Sequence, residues 1–446
     1  MEVLTSPRRS FVRWNILGLM VVVSMITYLD RLNIAIAAPQ IMAEYHLSST
    51  DMGRIFSAFI LAYGLFQLPG GWLADRFGPR GVLSAALLWW SVFTALTAII
   101  LNVLPVTLFP VVVTLGVTRF CLGMGEAAAW PGFNRAIANW IPAGERALAA
   151  SLPLAGGGLG AALTPPLIAS LMVAYGWRNP FYVSAVVGVL FAGVWFFYVR
   201  NRPTEHPSVN PAELSLIESG LEQRATAGEG DHLSTPWKRI LLEPNVWLLF
   251  VTNFCAGYAI YIYLTWFYTY LVEFRHLSFV KGSVYTMGPF VAITIMTPLG
   301  GTLCDRAAKR YGVTASRRMI AIGGMSFAAL ALYSGARLPE INLSVFAFSL
   351  GAGAIFFAFS AHWATTIDIA KPFAGTVAGI MNWGGNTGGM ISPILTPYLA
   401  REFGWIPAME FAASLLLAGS LVWFLIRPEK NSLIAEPCQS GLLRVA

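Results

Sequence analysis

The chain has 446 residues, of which 56% are hydrophobic and 11% are charged, whereas about a quarter of the residues are charged in ordinary globular domains. The mean hydropathy of +0.64 extends over the whole length, so the apolar surface requires a lipid environment. The composition therefore excludes a soluble protein and predicts a polytopic membrane protein. Nucleic-acid binding is also excluded, because the basic residues behind the net charge of +7 flank apolar runs and form no basic patch.

Cysteine and histidine patterns give no sign of a metal site or of a redox site. The four cysteines form no CxxC pair, and the five histidines form no HExxH motif. Walker A, GxSxG and dinucleotide-binding patterns do not occur either. We therefore expect no metal, no bound cofactor and no enzymatic activity, with a membrane enzyme or a sensor as the disfavoured alternative.

Apolar segments long enough to cross a bilayer, which takes about 20 residues, occur twelve times. In the first half they cover residues 14–38, 51–73, 81–101, 107–134, 146–173 and 178–199. In the second half they cover residues 246–272, 281–304, 317–336, 341–366, 372–400 and 405–427. These segments predict an all-α integral membrane protein with twelve transmembrane helices.

One long polar stretch, residues 200–243, divides the chain into two halves. The first half, residues 1–199, and the second half, residues 244–446, each contain six predicted spans, and the second ends in a short tail. We expect the stretch between them to be a cytoplasmic connecting loop.

The connecting loop contains the pattern of a short amphipathic helix. Asn210 and Pro211 are typical of an N-cap and a first helical position. Leu214, Ile217 and Leu221 fall on one face of the helix that would follow. Such a helix either lies against the cytoplasmic side of the protein or binds a partner.

Lysine and arginine residues are distributed unevenly between the two sides of the predicted spans. With the N-terminus inside, 21 of the 29 lie in cytoplasmic segments, 6 lie at outer ends and 2, Arg31 and Arg119, lie inside spans. Because basic loops remain in the cytoplasm, both termini are predicted to be cytoplasmic. The predicted location is the inner or plasma membrane.

The two halves of the chain repeat one another at an offset of 228 residues. Six residues in and just after the fifth span recur in and just after the eleventh. In the first half they are Gly156, Gly157, Gly160, Pro165, Gly176 and Trp177. Their counterparts, in the same order, are Gly384, Gly385, Gly388, Pro393, Gly404 and Trp405. The glycines predict close helix packing. Since each half has an even number of spans, the two six-helix repeats run parallel, and we expect a substrate cavity at their interface.

Several motifs resemble those of one transporter family. The twelve spans, the central loop and the element GWLADRFGPR (residues 71–80) are similar to the major facilitator superfamily of secondary transporters. TYLDRLNIAIAAP (27–39), RFCLGMGEAAAWPGFN (119–134) and NWGGNTGGMISP (382–393) resemble its anion:cation symporter family. The resemblance implies the major facilitator fold and proton-coupled symport of an organic anion by alternating access. The substrates that it implies are sugar acids such as galactonate, glucarate and hexuronates. From the residues themselves, two asparagines and a tyrosine favour a polyol acid such as galactonate, gluconate or glucarate.

Four charged residues fall inside predicted spans, where each charge costs about 2.5 to 3.5 kcal/mol on insertion scales. Asp30 and Arg31 are adjacent in the first span. Arg119 and Glu126 are seven residues apart in the fourth, about 20° from each other around the helix. Two hypotheses remain. The four residues form a proton-coupled anion site, or they form two salt bridges that only hold the spans together.

The resemblance assigns a role to each of these charges. It makes Asp30 and Glu126 the protonation sites, Arg31 the main ligand of the substrate carboxylate, and Arg119 the partner of Asp30. Three further positions match residues that contact substrate in the galactonate carriers, and they are Tyr63, Trp363 and Asn382.

Local reasoning adds three candidates beside these positions. Tyr28 lies two residues before Asp30, and Asn386 lies one helical turn after Asn382, so both asparagines can face a cavity and bind sugar hydroxyls. His362 precedes Trp363, with which it would form an apolar wall against a carbon chain.

Two further features concern conformational change. Asp75, Arg76 and Arg80 are expected to form a latch, in which Asp75 accepts hydrogen bonds from the start of span 11 near residues 371–372. In span 7, the aromatic residues are expected to pack in the core and at the membrane interface, with a gate formed by Trp266 and Tyr270 as the alternative.

The sequence leaves the type of transport and the substrate undecided. An uncoupled uniporter or exchanger would use the same pocket, and the 15 tryptophans keep aromatic and other small carboxylates as an alternative substrate class. The spans of the second half contain no buried cation, which favours acids with one carboxylate. Apart from this small-molecule anion and the lipid bilayer no partner is expected, and the protein is predicted to be a monomer with protons as the only coupling ion.

Overall fold

The computed structural model describes residues 10–103, 110–142, 145–226, 237–370 and 374–427. These residues are almost entirely helical, and no β-strand occurs among them. The chain divides into two compact units.

The first unit comprises Met1–His232, Leu264–Val291 and Pro393–Tyr398. The helices of the first half of the chain belong to it, and they are α1 (Val12–Tyr45), α2 (Ser49–Phe77), α3 (Pro79–Val103), α4 (Val111–Glu126), α5 (Ala129–Trp140), α6 (Arg146–Tyr175), α7 (Asn179–Tyr198) and α8 (Pro211–Thr226). Within the unit, α1 packs against α6, α2 against α4, and α3 against α7.

The second unit comprises Leu233–Tyr263, Ala292–Ser392 and Leu399–Ala446. The helices in the second half of the chain are α9 (Trp237–Leu242), α10 (Pro244–Thr265), α11 (Phe267–Thr269), α12 (Phe279–Tyr311), α13 (Val313–Arg337), α14 (Ile341–Ala370), α15 (Ala374–Phe403) and α16 (Trp405–Val422). Of these, α11, residues 279–291 of α12 and residues 393–398 of α15 belong to the first unit. A π-helical turn, Tyr270–Phe274, follows α11. Within the unit, α13 packs against both α14 and α16.

The helix lengths confirm the predicted all-α membrane fold. In the described part of the chain, eleven helical segments are long and apolar enough to cross a membrane, with α4 and α5 counted together as one segment. The eleventh predicted span, residues 372–400, corresponds to α15, which is 30 residues long. Its glycines and asparagines give it a lower hydropathy than the other spans have.

Glycines of the repeated segment bring α6 against α1 in the first unit and α15 against α10 in the second. A Cβ atom on Gly156 would lie 2.8 Å from the carbonyl oxygen of Val21, and one on Gly384 would lie 2.3 Å from that of Phe250. Both distances are shorter than any ordinary contact, so only glycine permits these approaches. The prediction that the repeated glycines serve close helix packing is therefore confirmed in both units.

The helix predicted in the connecting loop is present as α8, and it lies against the first turn of α1. The side chain of Asn210 caps it, since Oδ1 accepts a hydrogen bond from the backbone N–H of Glu213 at 2.9 Å. Of the predicted apolar face, Ile217 is buried and Leu214 is half-buried, while the side chain of Leu221 lies outside the described residues.

A buried glutamate joins α8 to α1. The Glu213 side chain is fully buried, and its two oxygens accept hydrogen bonds from the backbone N–H groups of Val12 and Arg13 at 3.3 and 3.2 Å. The Arg13 guanidinium lies 3.9 Å from the Glu213 carboxylate and 3.3 Å from that of Glu145. The loop helix thus supplies the acidic group that the positive end of α1 attracts.

Candidate functional site

The four charged residues predicted inside spans lie together in the first unit, on α1 and α4. Asp30 and Arg119 are 1% and 2% exposed, and Glu126 is completely buried. The Arg31 side chain is 14% exposed, so it is the most accessible of the four. Their formal charges sum to zero, which suits a group of charges so far removed from water.

Arg31 and Glu126 form an ion pair. The guanidinium Nε donates a hydrogen bond to Oε1 of Glu126. The second carboxylate oxygen, Oε2, has no hydrogen-bond partner among the described residues. The Glu126 carboxylate is therefore already bound to Arg31, the arginine that was predicted to bind the substrate.

Glu126 is the last residue of α4, because the helix predicted to continue to residue 134 is interrupted there. A turn at residues 127–128 separates α4 from α5. Pro131 explains the break, since it has no N–H to donate to the carbonyl of Ala127 four residues earlier. The sequence thus places a carboxylate at a helix end that proline creates.

Asp30 differs from Glu126 in its surroundings. Arg119 donates a hydrogen bond to the backbone carbonyl of Asp30 at 3.4 Å, but neither carboxyl oxygen of Asp30 has a hydrogen-bond partner in the described part of the chain. The expected pairing of Arg119 with the Asp30 carboxylate is therefore not formed in this structure. The buried hydroxyl of Thr94 on α3, a residue that sequence reasoning missed, lies beside this carboxyl group.

Aromatic rings surround the Arg31 guanidinium. Its central carbon lies 4.4 Å from the ring centroid of Tyr63 and 5.5 Å from that of Tyr28, distances at which the ring faces attract a cation. Tyr28 lies close against α6, since a Cβ atom on Gly157 would be 2.6 Å from its ring. The structure thus brings Tyr28 and Tyr63, which were predicted separately, to the same arginine.

Sequence reasoning also missed Phe59. This buried residue of α2 has its ring centroid 5.4 Å from the Arg31 guanidinium and 5.1 Å from that of Arg119. Tyr63 was predicted because it matches a position that contacts substrate in the galactonate carriers. Phe59 lies one turn earlier on the same helix face, and its position relative to Tyr63 is the only sequence signal that could have identified it.

The remaining predicted substrate contacts belong to the second unit. Trp363 on α14 is half-exposed, and Asn382 and Asn386 on α15 are half-buried. His362 is completely buried, with Nδ1 3.0 Å from the carbonyl oxygen of Ala358. It is therefore a core residue and forms no wall with Trp363. Whether Trp363 and the two asparagines meet Arg31 in one site stays a prediction.

The predicted latch residues have local contacts within the first unit. Asp75 forms an ion pair with Arg135 at 3.6 Å, and the Arg76 guanidinium lies 5.3 Å from the ring of Trp72. Arg80 donates a hydrogen bond to the carbonyl of Phe196 at 2.8 Å. The start of span 11, near residues 371–372, lies outside the described residues, so the expected contact with Asp75 stays a prediction.

The aromatic residues of span 7 pack in the interior. Trp266 and Tyr270 are completely buried, and α10 ends at Thr265, immediately before Trp266. In the first unit, the Trp266 ring lies edge-on to Phe56 at 5.4 Å, and its Nε1 donates a hydrogen bond to the carbonyl of Pro393 at 3.0 Å. These contacts agree with the core-packing interpretation, while the gate interpretation stays untested.

Comparison with known proteins places the chain among transporters. It is 34% identical over 429 residues to a probable sulfoacetate transporter of Cupriavidus necator, which covers 93% of this chain and 94% of that protein. It is 30% identical over 437 residues to a probable galactarate/D-glucarate transporter of Bacillus subtilis, with coverage of 95% and 94%. A hexuronate transporter of the same bacterium is 31% identical over 411 residues, with coverage of 90% of both chains.

Solved structures with low sequence identity share the fold. A bacterial homologue of the human lysosomal transporter Spinster, in an inward-facing conformation, superposes with a TM-score of 0.75 at 16% identity, covering 95% of this chain and 97% of that chain. A D-xylose-proton symporter superposes with a TM-score of 0.72 at 16% identity, covering 94% and 98%.

The family assignment follows from these matches. The Major Facilitator Superfamily matches residues 20–382, which is most of the chain. The relatives are named as transporters, which points away from an enzyme and agrees with the motif resemblance to the anion:cation symporters. The chain is therefore a multi-pass membrane protein that belongs to the Major Facilitator Superfamily, together with these transporters.

Proposed function

We propose that the protein is a secondary active transporter that carries an organic anion across the membrane together with protons, by alternating access of its two halves. The names of the relatives support transport of a small organic anion. The buried charges of α1 and α4 support a binding site that an anion and a proton share.

The ion pair between Arg31 and Glu126 is the observation that carries the proposal. A guanidinium presents a planar fork that fits a carboxylate and stays protonated throughout the cycle. While Glu126 is ionised, it occupies that fork and competes with any incoming anion. Protonation of Glu126 removes this competitor, so Arg31 can turn to the substrate.

The balance of charge in the site also favours movement of the anion together with a proton. The four buried side chains carry no net charge when both acids are ionised, and a monoanion entering alone would leave the group with a charge of −1. A proton that enters with the anion restores neutrality, which lowers the cost of moving the loaded site through a closed, water-free state. From the state in which both acids are ionised, transport of the anion without a proton is therefore disfavoured.

Asp30 is proposed as the second protonation site. An ionised carboxylate buried without a hydrogen-bond partner is costly, whereas the protonated acid avoids most of that cost. Ionisation of Asp30 would attract Arg119, which already contacts its backbone carbonyl. In this scheme Arg119 balances Asp30, and Arg31 binds the substrate.

A sugar acid of the galactonate, gluconate or glucarate type is the proposed substrate. Tyr28 and Tyr63 would line the anion end, while Asn382, Asn386 and Trp363 would contact the hydroxylated chain from the second half. Relatives named for galactarate/D-glucarate and hexuronate support this class. The relative named for sulfoacetate makes a sulfonate a competing choice, because its oxygens also fit a guanidinium.

The proposed setting is the plasma membrane with both termini in the cytoplasm, because 21 of the 29 Lys and Arg residues then lie inside. Bacterial relatives support that membrane.

We further propose that the protein acts as a monomer, with protons as the coupling ion and without a cofactor. The latch at Asp75, Arg76 and Arg80 would favour the outward-open state.

Proteoliposomes with a pH-sensitive dye inside test the proposal. D-Galactonate, D-glucarate, D-glucuronate, sulfoacetate and benzoate are offered under an imposed inward proton gradient. We expect uptake of a sugar acid above its external concentration, with acidification of the interior when that acid is added. Arg31→Gln should abolish both signals, and Arg54→Gln, at an exposed residue of α2, should keep them. Uptake without acidification would favour a uniporter or exchanger.

A further inference from the structure

Two like charges approach one aromatic ring in the site. The guanidinium groups of Arg31 and Arg119 lie 5.4 and 5.1 Å from the ring centroid of Phe59. They come from different helices, α1 and α4, while Phe59 belongs to a third, α2. Phe59 is 5% exposed and Arg119 is 2% exposed, so both of these residues are largely excluded from water.

A close packing contact fixes the position of the Phe59 ring. Gly123 lies on α4 between Arg119 and Glu126, and a Cβ atom there would be 2.4 Å from the backbone oxygen of Phe59 and 3.1 Å from its ring. The glycine therefore allows α2 to lie directly against α4. The ring also stacks with that of Tyr63, with 6.0 Å between the ring centroids and an interplanar angle of 19°.

We infer that Phe59 is a positioning residue for anion binding, because its ring is the shared π partner that keeps the two guanidinium groups apart, with Arg31 on the Glu126 carboxylate and Arg119 on the backbone carbonyl of Asp30. The negative face of an aromatic ring attracts a cation more strongly when both are desolvated. Such attraction offsets the repulsion between the arginines. Arg31 is then held at the Glu126 carboxylate, and Arg119 is held at the backbone carbonyl of Asp30. The inference rests on the proposed function only for its consequence in anion binding.

Packing alone would also place a phenylalanine in this position, so the test has to separate ring electrostatics from ring shape. Fluorine atoms on the ring weaken the negative face while leaving the shape nearly unchanged. The full-length protein is therefore produced with 4-fluoro-, 3,5-difluoro- and 3,4,5-trifluorophenylalanine at position 59. The matched control is the same series at Phe66, a half-buried residue of α2 that packs edge-on against Phe120.

The first measurement is the thermal unfolding midpoint of the detergent-purified protein without ligand. We expect the midpoint to fall stepwise with each added fluorine at position 59 and to stay constant at position 66. Equal midpoints throughout the series at position 59 would overturn the inference. A fall of the same size at position 66 would also overturn it, because a general effect of fluorine would then explain both series.

A variant that lacks both arginines tests whether the guanidinium groups are the partners of the Phe59 ring. In the double variant Arg31→Gln, Arg119→Gln, trifluorination at position 59 should no longer change the unfolding midpoint, because no guanidinium remains to be attracted. An unchanged fluorine effect in that background would contradict the inference. If the double variant does not fold, Arg119→Gln alone should reduce the fluorine effect, and no reduction would contradict it.

The third measurement concerns anion binding, with D-glucuronate and D-galactonate as probes. Trifluorination at position 59 should raise the dissociation constant about five-fold, as expected for the loss of one cation–π contact, while the same change at position 66 should not. If the unmodified protein binds neither probe nor any other organic anion, the proposed function fails. The unfolding series still decides the role of Phe59 in that case.

Discussion

Glu126, the last residue of α4, forms an ion pair with Arg31 in the middle of α1, and its carboxylate is completely buried. The acid at the end of α4 and the arginine of α1 are thus joined through one carboxylate oxygen, while the other oxygen has no hydrogen-bond partner among the described residues. In the proposed mechanism a substrate anion has to replace Glu126 at the Arg31 guanidinium.

Glu126→Gln removes the charge that competes with the substrate and the group that would carry the proton. We expect the variant to exchange labelled anion for unlabelled anion across the membrane at close to the normal rate, but to lose uphill uptake. Both modes are measured in proteoliposomes, with and without a pH gradient. Arg31→Gln should lose both modes. Accumulation driven by a proton gradient in Glu126→Gln would show that another residue carries the proton.

Gly157→Ala should disturb the Tyr28 side of the site. The added Cβ atom would lie 2.6 Å from the Tyr28 ring, so the ring has to move away from its position beside Arg31. Overpacking of this kind costs about 1 to 3 kcal/mol, and we expect a lower unfolding midpoint together with an increased KM.

Gly18→Ala is the matched control for this change, because a Cβ atom there meets nothing within 4 Å. Alanine is favoured over glycine inside a helix, so this variant should be at least as stable as the native protein. A normal KM for Gly157→Ala would mean that the position of Tyr28 does not affect substrate binding.

Asp75→Asn should reduce the transport rate and leave KM nearly unchanged. The ion pair of Asp75 with Arg135 is well exposed on both sides, and surface pairs contribute little to stability, so the unfolding midpoint should hardly move. Initial uptake rates over a range of substrate concentrations separate kcat from KM. Asp75→Glu, which keeps the charge, should restore part of the rate. A normal transport rate in Asp75→Asn would contradict the predicted latch.

Glu213→Ala should release the loop helix α8 from α1. The change leaves two buried backbone N–H groups, those of Val12 and Arg13, without their acceptor, at a cost of about 1 to 3 kcal/mol for each group. We expect faster hydrogen exchange in the first turn of α1 and in α8, with a lower unfolding midpoint.

Glu218 provides the control for this prediction, because it lies on the same helix and its side chain is exposed. Glu218→Ala should leave both the exchange rates and the midpoint close to those of the native protein. Equal effects of the two substitutions would mean that the cap on α1 does not hold α8 in place.

Acidification should loosen the loop around His206. Burial lowers the pKa of this histidine below its ordinary value, and the charge of Arg200 lowers it further, while a hydrogen bond with the backbone of Tyr198 and the charge of Glu213 act in the opposite direction. The ring packs against Tyr198 at 5.1 Å and Trp140 at 5.8 Å. Because the folded loop disfavours the imidazolium, the unfolded loop binds the extra proton more readily.

The sign of the pH effect follows from this difference in proton binding. Stability is fully present above the ordinary histidine pKa of about 6.5 and decreases as the pH falls below that value toward the pKa of the folded state. Hydrogen exchange of residues 203–210, measured between pH 7.5 and 5, should therefore become faster on acidification beyond the intrinsic chemical trend. His206→Asn should remove the excess, and its persistence would assign the effect to another group.

The linear order of residues determined the class of the protein, its spans and its internal repeat. Few charged residues occur in an otherwise apolar chain, so each of the four inside spans was conspicuous by position alone. The repeated glycines predicted close helix packing in both halves, because a missing side chain has the same consequence wherever it occurs. The four charged residues of the candidate site could therefore be identified from the sequence, because so few charges occur inside the spans.

Only the tertiary structure decided which partners these residues have. The sequence could not reveal that Arg119 contacts the backbone of Asp30 instead of its carboxylate, nor that His362 belongs to the core, since both depend on how helices rotate against each other. Phe59 carries no charge and no hydroxyl, and phenylalanine is common in membrane spans. Its importance arises from its distances to two arginines on different helices, and packing in three dimensions sets those distances.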